Sequence, residues 1–73
     1  MQIETLKRMA DQIALNNEGA SQSEAVVRVA THLTNFWTPA MVEELSDYAR
    51  EHADELDPVV VGALARMNAQ HRV

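Results

Sequence analysis

The stretch N-F-W-T-P-A-M, Asn35 to Met41, ends one run of helix-patterned sequence and begins another. Its pivot is Thr38-Pro39. A threonine hydroxyl can accept a bond from an orphaned N–H of the following turn, and a proline at the first helical position sacrifices no hydrogen bond. Proline also disfavours helical geometry at the residue before it. A helix arriving from upstream therefore stops by about Trp37, and a new one begins at Pro39. The same grammar recurs in L-D-P-V-V, Leu56 to Val60, which stops a third helix by about Leu56 and starts a fourth at Pro58.

Working outward from these breaks, apolar period supplies the rest. Ile3, Leu6, Met9, Ala10 and Ile13 fall on one helical face, with Lys7 and Arg8 facing away. Glu4 with Arg8, and Lys7 with Asp11, are i,i+4 pairs that would support that exposed face. Asn16, Asn17 and Gly19 end the pattern, since Asn and Gly tolerate the left-handed conformation that often closes a helix. Ser21 followed by Glu24 has capping-box spacing, and Ala25, Val26, Val29, Ala30, Leu33, Phe36 and Trp37 continue the second apolar side. Met41, Leu45, Tyr48, His52 and Leu56 form a third stripe; Val60, Ala63, Leu64 and Met67, with His71 beyond them, form a fourth. No segment alternates as a strand would. The spacing predicts one all-α domain over 1–73, a small four-helix bundle-like fold with helices at 3–16, 22–36, 39–55 and 58–70. Short connections favour antiparallel neighbours.

Size and charge limit what such a domain can do. A chain of 73 residues is near the length at which a core contributes little surplus stability, so a partner surface is a natural supplement. There is no cysteine, which excludes a disulfide framework and thiolate metal ligands and fits a reducing compartment. No apolar run approaches the roughly 20 residues that span a bilayer, and the charged start M-Q-I-E-T-L-K-R is unlike a signal peptide. The expected location is cytoplasmic. A net charge of −5 opposes binding to a nucleic-acid backbone. Between Glu43 and Asp57 the acids crowd together with Arg50 as the only fixed positive charge, either a solvated helix face or a docking surface for something basic.

Catalytic chemistry is scarce. The chain has no Gly-rich phosphate loop, no G-x-S-x-G, no H-E-x-x-H, and only two glycines. His32, His52 and His71 sit on three different predicted helices, so no local spacing preorganises a metal site; His52 near a helix end serves the dipole. Gly62 inside a predicted helix points to close approach of a neighbouring helix. The candidate site is instead the corner. Phe36 and Trp37, the only Phe and the only Trp, flank the break together with His32 and Met41. A structural wedge between helices is one use for them, and an interface anchor is the other. On the second reading one ring is mostly core and the other partly exposed, with Trp37 the preferred anchor for its area and indole donor.

Three blocks, L-K-R-M-A-D-Q-I-A at Leu6 to Ala14, V-A-T-H-L-T-N-F-W-T-P-A-M at Val29 to Met41 and L-D-P-V-V-V-G-A-L at Leu56 to Leu64, together resemble the delta subunit of NAD-dependent formate dehydrogenase. The H-L-x-x-F-W-x-P-x-M element is the most specific of them. The resemblance implies a small non-catalytic subunit of a cytoplasmic molybdenum- or tungsten-dependent enzyme. In that family the large catalytic subunit holds the molybdopterin cofactor and iron–sulfur clusters, and the delta subunit is linked to assembly or stability. No cofactor and no metal is expected on this chain, which has no thiolate for an ordinary cluster. The expected partner is the large catalytic subunit, with a homodimer in its absence. A transient maturation factor and a free-standing helical interaction module are the alternatives.

Overall fold

The computed structural model describes residues 2–70, with the side chain of Gln70 outside the description. Among the described residues there are four α-helices and no strand: α1 Ile3–Asn16, α2 Gln22–Phe36, α3 Pro39–His52 and α4 Pro58–Gln70, with a 3₁₀ turn, Ala53–Glu55, between the last two. The fold is all-α and bundle-like. The third helix was expected to run to 55, but regular α geometry ends at His52, and the chain tightens into the 3₁₀ turn before the extended Leu56. His71 lies outside the described residues.

The three starts for which a cap was expected each have one, while Gln2 before α1 makes no side-chain cap bond. Thr38 Oγ1 accepts the Met41 N–H at 3.2 Å and Ser21 Oγ accepts the Glu24 N–H at 3.3 Å. Asp57 Oδ1 accepts the Val59 N–H at 2.8 Å. The Glu24 carboxylate lies 3.6 Å from Arg28 on the next turn, so one arm of the capping box is seen and the glutamate is spent on an ion pair.

The end of α1 departs from expectation. None of the described residues has positive φ, Gly19 and the asparagines included. Asn17, at φ −110°, closes the helix with its side chain: Nδ2 donates to the Ile13 carbonyl at 2.9 Å, satisfying an acceptor that a left-handed turn would otherwise have served.

Burial follows the four stripes. Leu6, Val29, Leu33, Leu45 and Val60 are the large side chains sealed completely, joined by Ala10, Ala63, Leu64, Met67, Leu56 and Trp37. The most extensive packing joins α2 to α4, followed by α1 to α3, so next-but-one helices pair more closely than the consecutive antiparallel neighbours that short connections suggested. The reason lies in the corner. Trp37 and Thr38 are both extended, at ψ 145° and 155°, and turn α3 away from α2. α4 takes the vacant place beside α2, where a Cβ at Gly62 would stand 3.0 Å from Val26 Cγ2. A side chain at position 62 would therefore press on that of Val26, and glycine leaves room for it. The radius of gyration is 11.0 Å, about the 11 Å expected of a compact chain this long, so exposed apolar groups are not a sign of loose packing.

Candidate functional site

The corner between α2 and α3 divides its two aromatic residues. Trp37 has 7% of its surface exposed and belongs to the core, whereas Phe36 is 74% exposed. One ring in and one ring out was the expectation; the preference for Trp37 as the exposed one is reversed. At 100° per residue, position 37 falls within about 20° of Val26 on the core side of α2, while position 36 falls on the flank beside His32. Burial followed helical phase, and the greater area of indole made Trp37 more valuable inside.

His32 and Phe36, both exposed, form an i,i+4 pair with ring centroids 4.8 Å apart and planes tilted by 41°. Met41, the fourth residue singled out from sequence, is drawn away from them. It is partly buried against the core, and its N–H is held by the Thr38 cap. The surface patch is thus Phe36 with His32, while Trp37 lies in the core and Met41 packs against it. Among the described residues, Val27 and Leu15 are the other large apolar side chains left exposed, at 42% and 55%.

On the other side of Trp37 a groove of about 510 Å³ opens between the C-terminal part of α2, α3 and α4. Its apolar wall comprises Leu33, Trp37, Val42 and Met67; Glu43, Asp47 and Arg50 stand along the α3 side. Sequence reasoning did not find this groove, because it depends on α3 turning away at the corner. Ser46, only 4% exposed, also lines it, and its Oγ accepts from Asn68 Nδ2 at 3.5 Å. Along α3, Glu43, Asp47 and Glu51 follow one another at i,i+4 and are all exposed. Like charges at that spacing destabilise a helix by about 0.2–0.5 kcal/mol per pair. Arg50 offsets part of this by pairing with Asp47 at 2.6 Å.

A second polar cluster closes the opposite end of α3. Tyr48 Oη donates to Glu55 Oε1 at 2.7 Å, Lys7 Nζ lies 3.3 Å from the same oxygen and 3.4 Å from Tyr48 Oη, and His52 Nδ1 lies 3.0 Å from Glu55 Oε2. The Tyr48 and His52 rings meet with centroids 4.6 Å apart and planes tilted by 32°. Lys7 therefore reaches across to α3 and its 3₁₀ turn, where sequence spacing had paired it with Asp11 on an outward face. The hydrogen bonds from Tyr48 and then Lys7 hold the Glu55 carboxyl below its ordinary range. The bond to Glu55, followed by desolvation, pushes the Tyr48 phenol up. Desolvation pulls the Lys7 ammonium down, but its bonds to Tyr48 and Glu55 outweigh this and leave it raised. This cluster ties helices together. Among the described residues no group of three or more potential ligands is placed to hold a metal ion. Nor, among those residues, is any helix long and apolar enough to cross a membrane.

With that geometry in place, comparison with known proteins adds one finding. Searches of curated proteins and of solved structures give no match. A family model described as the NADH-dependent formate dehydrogenase delta subunit, FdsD, matches residues 5–64 and so takes in the Lys7–Tyr48–Glu55 cluster, the His32–Phe36 corner and the Gly62 contact. The match spans most of the chain, which therefore belongs to the formate dehydrogenase delta-subunit family.

Proposed function

We propose that this chain is a non-catalytic accessory subunit that docks on the large molybdopterin subunit of a cytoplasmic NAD-dependent formate dehydrogenase and supports assembly or stability of that complex. Family membership supports the enzyme system, and the exposed Phe36 ring is the observation that carries the docking role. A chain this small has few large apolar side chains to spend on its core, yet it leaves its only phenylalanine 74% exposed at the last residue of α2, in tilted ring contact with His32. Aromatic side chains are enriched at protein interfaces, where a central one can carry much of the binding energy. Phe36 is the anchor in this reading, His32 orients it, and Trp37 and Met41 belong to the packing of the corner.

Co-expression with the large subunit tests the proposal. Phe36→Ala is expected to keep its thermal melt and lose co-purification, at a cost of about 2 kcal/mol or more in binding. Equal recovery of the large subunit with Phe36→Ala and with the unaltered chain would reject the anchor. The isolated chain is expected to show no formate-dependent reduction of NAD, and turnover at a rate comparable to the complete enzyme would reject the accessory role. Concentration-dependent self-association that vanishes in Phe36→Ala would identify the same ring as a homodimer contact.

A further inference from the structure

We propose that the groove between α2, α3 and α4 receives a basic amphipathic segment of the partner, with an apolar side chain against Trp37, Val42 and Met67 and a lysine or arginine facing Glu43 and Asp47. The proposal rests on the docking role argued above and gives that partner a chemistry.

Charge identifies the occupant. Glu43 and Asp47 stand on the groove's α3 side, and Glu51 extends the same row along the helix. Among the described residues the cation lining the groove is Arg50, and its pairing with Asp47 at 2.6 Å leaves the rim a net negative charge through Glu43. Anions such as formate or a dinucleotide are repelled by this rim, whereas a cationic segment relieves the repulsion between neighbouring acids. The apolar wall supplies the second requirement, since a purely basic peptide would leave exposed Pro39 and half-buried Val42 facing water over the buried Trp37 and Met67. Asn68, exposed and joined to the buried Ser46 by a long 3.5 Å hydrogen bond, is a polar group placed to bond a peptide backbone. Thr34, on the groove, and Phe36 lie about 160° apart around α2. A partner that used both would grip the end of α2 from two flanks.

The test uses the full chain co-expressed with the large subunit, with affinity read at low and at raised salt. Two exposed positions change the groove without touching the core. Glu43→Lys reverses the rim charge, and Thr34→Trp fills the groove from its edge. Glu18→Lys makes the same charge change in the α1–α2 connection as a control. Each groove variant is expected to weaken binding about tenfold or more while retaining its melt, the Glu43→Lys loss shrinking as salt screens the pair. Glu18→Lys should bind as the unaltered chain does. A photo-crosslinker at Asn68 should capture a large-subunit peptide carrying lysine or arginine beside apolar residues. Unchanged binding by both groove variants, or capture of an acidic peptide, overturns the groove proposal and leaves the docking role standing. Failure of the unaltered chain to bind the large subunit overturns both.

Discussion

Two corners of this molecule are built on the same local chemistry and end differently. At Thr38-Pro39 and at Asp57-Pro58 a short polar side chain caps the first turn, and a proline fixes the helix start. The second corner is tied down: the preceding turn supplies Glu55, which joins Tyr48 and His52 of α3 to Lys7 of α1, and the Asp57 N–H points to Asp11 at 3.5 Å. The first corner spends Trp37 on the core and leaves Phe36 bare beside His32. Capping fixes where helices begin. Which corner remains available to a partner is decided by what the neighbouring helices cover.

The sharpest way to break this comparison is to truncate the two rings separately. Trp37→Ala removes a buried side chain and should cost about 3–5 kcal/mol of folding stability, enough to unfold so small a domain near physiological temperature. Phe36→Ala should shift stability by no more than about 0.5 kcal/mol, the usual range at a surface position. Urea unfolding of both variants measures the contrast directly. Similar losses for the two would mean that Phe36 is packed in solution and the corner is not open.

That contrast also marks where sequence was sufficient. The helix starts, the four apolar stripes and the close approach at Gly62 all follow from local rules, because caps, proline and period act within a turn or two. The corner's helical phase also placed Trp37 inward; the preference for it as the exposed ring came from residue type, which says what an anchor is made of and not where it lies. The groove and the Lys7–Glu55 contact were not legible. Both join residues far apart in the chain, and they form because α3 swings away from α2 and α4 fills the space.

The α2–α4 contact behind that swing gives the next largest effect. Gly62→Leu places a side chain where a single Cβ already comes within 3.0 Å of Val26. The expected cost is about 1–3 kcal/mol of overpacking, partly recovered when Val26→Ala is added, since the clash is with that side chain. A double-mutant cycle by chemical denaturation measures the coupling. Independent, additive effects would mean that the helices are not held at this distance. Asp57→Ala, at the tied corner, should cost about 0.5–2 kcal/mol through the lost cap on Val59. An unchanged unfolding midpoint would show that Pro58 alone fixes the start of α4.

The smallest effect lies in the polar cluster of that same corner, and pH separates it from the cap. Glu55 has its carboxyl held below the ordinary range, chiefly by the Tyr48 hydrogen bond and then by Lys7. A depressed carboxyl pKa means that the folded state binds the proton less readily than the unfolded one. Its stabilising contribution is therefore present above the unfolded value and lost as pH falls through the lower, folded value. Tyr48 and Lys7 are both raised, so their contributions are present below their unfolded values and lost as pH rises through the folded ones, above about 10. Thermal melts should show the unaltered chain ahead of Glu55→Gln near neutrality, with the gap closing in acid and narrowing with added salt, as an exposed pair requires. Tyr48→Phe should move the Glu55 titration, followed by carboxylate NMR shifts, back up toward the ordinary value. A Glu55 that titrates normally in the unaltered chain would dissolve the distinction between a tied corner and an open one, leaving only the burial of Trp37 to separate them.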